Sequence, residues 1–275
     1  MTLRILRATF AASLAAAVLA GCVATSQTLP ATVPTGDDLK ERTTASDGTT
    51  DAQKRAQARM DLASAYFGRG QVKTALDEVK LALAADPNFG QAYNLRGLIY
   101  ANLGDNALAE DSFKRALSLN PRDADAMHNY GYFLCEQKRY PESSLLFRQA
   151  LAVQRYQGAA RTLLALGVCQ AFAGQLAEAD ASLSRAYELD PTSPVTATNL
   201  AEVLYRRGQY ERARFYIRRV NALANVSNAQ TLWLAARIEH KMGDEQGQNE
   251  FGRQLGNRFP DSREASAFAR GAFDE

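Results

Sequence analysis

Histidine and cysteine are scarce in this chain, and their scarcity removes most site chemistry. Two histidines, His128 and His240, stand among 275 residues. They lie far apart, and neither has a partner at metal-ligand spacing. The three cysteines, Cys22, Cys135 and Cys169, show no CxxC spacing, and their odd number argues against a disulfide framework or a zinc site. No GxSxG, Walker or HExxH motif occurs. No metal, cofactor or small-molecule substrate is therefore expected, and no enzyme activity. Cys135 and Cys169 sit in apolar, helix-forming sequence and read as buried free thiols. An oxidising compartment would also allow a bond between them, a matter of geometry that sequence does not supply.

β-Branched residues are sparse, while Ala and Leu dominate a composition that is 46% hydrophobic. This favours helix. The 8 prolines and 18 glycines fall mostly at segment ends, which suits short helices with short connections. A long apolar run is also missing. Residues 8–20 are apolar but shorter than the roughly 20 residues of a membrane span. Preceded by Arg4 and Arg7, they have the shape of a signal-peptide core. The run ends in Leu19, Ala20, Gly21 and Cys22, which resembles the bacterial lipobox. That resemblance implies cleavage before Cys22, acylation of Cys22 and a firm lipid anchor. Val23 follows; the absence of Asp there implies sorting to the outer membrane. Removing residues 1–21 takes away two arginines and no acid. The mature chain is then close to neutral, which makes nucleic acid an unsuitable partner. Residues 22–50 form the lipidated cysteine and a Thr-, Ser-, Asp-, Gly- and Pro-rich linker that cannot bury a core. As a flexible coil the linker would span roughly 30 Å.

From residue 51 the sequence repeats. Three similar phrases end in proline: Asp86-Pro87, Asn120-Pro121 and Asp190-Pro191. The first two are one 34-residue period apart, and the third follows after two periods and two further residues. This is the period of the tetratricopeptide repeat (TPR). The expected fold is an all-α, right-handed superhelical solenoid of about six helix-turn-helix repeats, spanning residues 51–261. The repeats fall near 56–89, 90–123, 124–157, 160–193, 194–227 and 228–261, with a cap or tail at 262–275. Small residues should mark where helices A and B cross closely. Gly97, Gly131 and Gly167 hold that position mid-helix, despite a cost of about 1 kcal/mol relative to Ala. Gly70, Gly104, Gly174 and Gly208 suit left-handed caps after helix A. Repeat two carries Arg96 at an apolar position, and repeat three has Arg155 in place of its proline.

A solenoid of this kind binds through the groove lined by its A helices. Met60, Phe67, Asn94, Leu98, His128 and Tyr132 are the candidate groove residues, a mixed surface suited to a peptide. No full set of Lys and Asn at clamp positions argues for C-terminal carboxylate capture. Repeat five carries Arg206, Arg207, Arg212, Arg214, Arg218 and Arg219, with Glu211 alone opposing them. This reads as a solvated face, with anionic lipid or an acidic partner as the alternative.

The lipobox, the linker and the six repeats together resemble the type IV pilus biogenesis and stability lipoproteins called PilF or PilW. So do the phrases Asn94-Leu95-Arg96-Gly97-Leu98 and His128-Asn129-Tyr130-Gly131-Tyr132-Phe133-Leu134-Cys135. The resemblance implies a pilotin: an outer-membrane lipoprotein facing the periplasm that binds type IV pilus secretin subunits and promotes their multimerisation. The other readings weighed are a TPR lipoprotein of β-barrel assembly and a scaffold for peptidoglycan hydrolases.

Overall fold

The computed structural model describes residues 50–273, so Cys22, the signal segment and the linker before residue 50 lie outside the described residues. Thirteen helices and no strand occur among the described residues. They are α1 (Asp51–Gly68), α2 (Val72–Ala85), α3 (Gly90–Leu103), α4 (Asn106–Leu119), α5 (Ala124–Glu136), α6 (Tyr140–Ala152) and α7 (Ala159–Phe172). The remainder are α8 (Leu176–Leu189), α9 (Pro194–Arg206), α10 (Tyr210–Asn221), α11 (Ala229–Met242), α12 (Glu245–Arg258) and α13 (Arg263–Ala269). Helices pack in consecutive pairs, and each pair packs on the next. Residues 50–273 are an all-α solenoid of paired helices, in which each unit is held mainly by its neighbours. No helix among the described residues is long and apolar enough to cross a membrane.

Two local devices set the repeat. Within each pair the turn needs a residue in the left-handed region, and Gly70, Gly104, Gly174 and Gly208 have φ between 72° and 80°. In repeat three Lys138 does the same at φ 60°, a conformation that costs a non-glycine residue energy. Between pairs, the chain leaves the B helix through an extended residue before proline, as steric clash with the ring requires. Asp86, Asn120 and Asp190 share this geometry, with φ near −136°. Each carboxyl or amide oxygen then accepts the N–H two residues on, at 2.9, 3.2 and 3.1 Å. Repeat three lacks this corner. Its B helix ends at Ala152 with Val153 as an extended cap, Arg155 turns at φ 58°, and the next A helix starts at Ala159 from Gly158, without a side-chain cap.

Close crossing of A on B explains the mid-helix glycines. A Cβ at Gly97 would stand 2.6–2.8 Å from the Phe113 ring, and one at Gly167 would stand 2.6 Å from Leu183 Cγ. Phe113, Phe147 and Leu183 are fully buried beneath Gly97, Gly131 and Gly167. Arg96 departs from the apolar pattern without an orphaned charge. Its Nε donates to buried Ser112 at 2.9 Å, and its guanidinium lies over the Tyr93 ring.

Two expectations are corrected. Cys135 and Cys169 are not free thiols but a disulfide, with Cα atoms 5.9 Å apart. They stand 34 residues apart, one period, so stacking of successive A helices brings them within bonding range. The arginines of repeat five are not opposed by Glu211 alone. Arg207 and Arg212 pair with Asp180 of α8. Arg214 and Arg218 both donate to Glu239 Oε1 of α11, at 3.1 and 2.8 Å, and Arg214 also reaches Asp244 at 2.5 Å. The acids come from the preceding and following repeats, where a count confined to one repeat misses them. Glu239 has no exposed surface, and a carboxylate so buried needs such partners.

The apolar core is continuous from Ala171 on α7 to Phe273. A separate small cluster of Phe147, Leu166 and Cys169 is buried between α6 and α7. The disulfide crosses this junction. At the far end α13 caps the array: Phe268 occupies the space over Gly252, and Phe273 stacks between Trp233 and His240.

Candidate functional site

Helices α1, α3, α5 and α7 are the A helices of successive units, and their shared face carries the candidate groove. Three of the six candidates meet there. Met60 on α1 and Asn94 and Leu98 on α3 line one cleft of about 240 Å³, together with Gln91, Leu95, Asp123 and Asp125. Its floor is apolar and its rim is amide and carboxylate. Phe67 packs with Met60 and Leu98 against the core of the first two pairs, partly buried.

Asn94 is not alone. Asn129 on α5 donates to its Oδ1 at 3.1 Å, so a polar bridge crosses from α3 to α5 beside the cleft. Sequence reasoning missed Asn129, which has no place in the repeat's apolar pattern. It stands 35 residues from Asn94, and side chains one period and one residue apart meet across adjacent A helices.

His128 is turned into the packing. It is 7% exposed, with Nδ1 2.9 Å from Thr162 Oγ1 and its ring against Phe147. Burial, then the charge of Arg161, push its pKa down to about 4, against the opposing pull of Asp125. The ring is therefore neutral at pH 7 and presents almost no surface. Around it, Tyr156 Oη lies 3.1 Å from Thr162 Oγ1 and donates to Asp125 at 3.2 Å, while Arg161 donates to the same Asp125 oxygen at 2.8 Å. This network stitches α5 to α7 across a junction that lacks a proline corner. The broken period marks the place in the sequence, but not the residues.

Tyr132 is half exposed, and Phe172 on α7 is 69% exposed. Partial burial and neighbouring Glu136 push the Tyr132 phenol above its usual pKa, so it stays a neutral, amphipathic contact surface. Among the described residues Phe172 is the most exposed of the big apolar side chains. No group of three or more His, Cys, Asp or Glu residues suited to a metal occurs among the described residues.

The repeat assignment and the family follow from comparison with known proteins. Tetratricopeptide repeat models match residues 90–123, 122–192 and 172–237. The crystal structure of PilW, a widely conserved type IV pilus biogenesis factor, superposes with a TM-score of 0.71 at 32% identity, over 77% of this chain and 97% of that one. The chain belongs to the PilF/PilW family of type IV pilus biogenesis factors. The structure of PilF from Pseudomonas aeruginosa superposes with a TM-score of 0.72 at 26% identity, covering 81% of this chain and all of that one. The type IV pilus assembly protein PilF of Pseudomonas aeruginosa strain PAO1 is 28% identical over 211 residues, 77% of this chain and 83% of that protein. The chain is thus a non-enzymatic TPR protein related to pilus biogenesis factors. What it offers chemically is a surface.

Proposed function

We propose that this protein is a lipid-anchored factor that binds type IV pilus secretin subunits through the A-helix groove of repeats one to three, and promotes their localisation and multimerisation at the outer membrane. The observation that carries this reading is the convergence of Met60, Asn94 and Leu98 on one cleft, in a chain of the PilF/PilW family. The acylated Cys22 supplies the address, the linker to residue 50 supplies reach, and the repeats supply binding. An apolar cleft floor also shields aggregation-prone secretin surface during transit.

The test separates binding from delivery. Leu98→Asp places a charge on the cleft floor and should reduce secretin multimers in membranes, with the helical spectrum and melting of the repeats retained. Unchanged multimers would count against this groove. Cys22→Ser should give a soluble chain that still co-purifies with secretin but leaves multimers depleted at the outer membrane; normal assembly with that variant would make the anchor incidental.

A further inference from the structure

We propose that the corner between repeats four and five carries a second docking site, which takes an apolar side chain from an acidic segment of a partner protein and pairs the partner's carboxylate with Arg219. The site goes beyond the A-helix groove and shares no residue with the cleft of Met60, Asn94 and Leu98.

The pocket arises from how the fifth unit ends. Helix α8 has 14 residues and turns out through Asp190 and Pro191, whereas α10 has 12 and residues 222–228 contain no proline. The chain leaves α10 early, and Ala222 and Leu223 come to face the corner between α8 and α9. With Tyr187, Pro191, Pro194 and Val220 they bound a cavity of about 370 Å³. Its outer wall is held in place, because Arg258 on α12 donates to Ala224 O and Ser227 O at 3.1 and 3.0 Å. Ligand pockets of roughly 300–1,000 Å³ have this anatomy, an apolar lining with a few polar groups that orient the occupant.

Aromatic surface continues past the cavity. Tyr187 meets Tyr216 edge-on at 5.0 Å, Tyr216 meets Phe215 at 5.1 Å, and the Arg219 guanidinium lies over the Phe215 ring at 5.4 Å. Phe215 is 54% exposed and Leu223 50%. Tyrosine, phenylalanine and arginine are the residues that protein interfaces gather at their centres.

Charge selects the partner. Arg219 is the one charged side chain that lines the pocket. Among the described residues it has no ion pair and no hydrogen bond, only its contact with the Phe215 ring. The neighbouring charges are engaged elsewhere. Asp190 accepts from the Thr192 N–H and hydroxyl, Arg185 pairs with Glu188, and Arg218 pairs with Glu239. An unspent guanidinium at the mouth of an apolar pocket is complemented by a carboxylate next to an apolar side chain. A bilayer fits less well. Anionic lipid recruits clusters of about four to eight basic residues, and Arg212, Arg214 and Arg218 of α10 are paired within the protein.

The experiment uses the full-length protein in detergent micelles, immobilised and panned against a library of octapeptides. Counter-selection on the Leu223→Asp variant keeps only peptides that need this pocket. The survivors should carry an aromatic or branched aliphatic residue beside Asp or Glu. Arg219→Gln should weaken the best peptide about tenfold, the worth of a hydrogen bond to a charged group, and Arg219→Glu should turn the preference from acidic to basic peptides. Leu98→Asp should leave the affinity unchanged. Positions 219 and 223 are exposed, so each variant should melt like the parent. A bilayer contact is tested with an environment-sensitive bimane label on Leu223→Cys, in vesicles of phosphatidylethanolamine and phosphatidylglycerol. Its emission should shift when the peptide binds and not on transfer from micelles to vesicles. No surviving peptide, survivors without an acid, or a best peptide indifferent to Arg219→Gln would overturn the proposal. Loss of the peptide with Leu98→Asp would place it in the groove and also overturn it. An emission shift in vesicles without peptide would assign the patch to lipid instead.

Discussion

Replacing a mid-helix glycine by alanine ordinarily stabilises a helix by about 1 kcal/mol, and here the sign should depend on what lies beneath. Gly97→Ala drives a methyl to 2.6–2.8 Å from three atoms of the Phe113 ring. That ring is fully buried, stacked on Tyr130 at 5.5 Å and tilted against Phe133 at 5.7 Å, so it cannot step aside alone. Overpacking at such a site costs about 3 kcal/mol, and subtracting the helix gain of about 1 leaves a net loss of about 2 kcal/mol. At Gly131 the new methyl meets Phe147 at 3.1 Å and Ser143 O at 3.3 Å, a strain of about 1 kcal/mol that the helix gain cancels. Gly256 on α12 has nothing within 4 Å, so Gly256→Ala should stabilise by about 1 kcal/mol. Urea unfolding followed by circular dichroism should order the midpoints as Gly256→Ala, wild type together with Gly131→Ala, then Gly97→Ala. Adding Phe113→Leu to Gly97→Ala should recover part of the loss, although the same change costs stability alone. A Gly97→Ala variant as stable as Gly256→Ala would refute the close crossing of A on B.

Reducing the Cys135–Cys169 disulfide, or replacing both cysteines by Ser, should destabilise the repeats by about 4 kcal/mol on the chain-entropy model for a loop of this length; unfolding with and without dithiothreitol measures it, and equal midpoints would show that the junction holds without the bond. Glu239→Ala should cost about 3 kcal/mol, because it strips Arg214 and Arg218 of a fully buried partner; it sits at the lower end of such losses because both arginines are partly exposed, and a change below 1 kcal/mol in thermal melting would contradict the pairing. Hydrogen bonding from Arg139, ahead of contributions from Lys114 and Tyr130, holds the Glu110 carboxyl at about 2, against its ordinary 4.5. The unfolded chain therefore takes up that proton first as pH falls. The contribution is complete above pH 4.5 and is lost on the way down to about pH 2, so Glu110→Gln should flatten the fall in urea midpoint across that window.

Much of the fold was legible because a solenoid writes its packing locally. The 34-residue spacing of Asp-Pro and Asn-Pro phrases, the glycines that end the A helices and the small residues at the crossings each report a contact inside one repeat or with the next. Where contacts leave the repeat, reading one repeat at a time fails. The arginines of α10 looked unopposed because Asp180, Glu239 and Asp244 belong to other units. The cysteines looked free because their bond crosses between units, although their separation equals the period and could have suggested it. Lys138 and Arg155 show the same limit at the backbone: the left-handed residue is required by the turn, yet without glycine nothing in the composition announces it.

The groove was harder to read, for a physical reason. A helix-A residue facing outward is not constrained by packing, so its identity carries no periodic signal, and the small differences in burial that decide its role depend on the neighbouring unit. His128 and Asn94 hold equivalent positions one period apart, yet they do different work. Asn94 borders an open cleft, because α5 opposes it with the amide of Asn129. His128 is sealed, because the longer connection before α7 brings Tyr156 and Thr162 over it. The two extra residues that break the period after repeat three therefore do more than shift register. They tie α5 to α7 with a polar network that covers His128, while Tyr132 and Phe172 on the same two helices stay exposed.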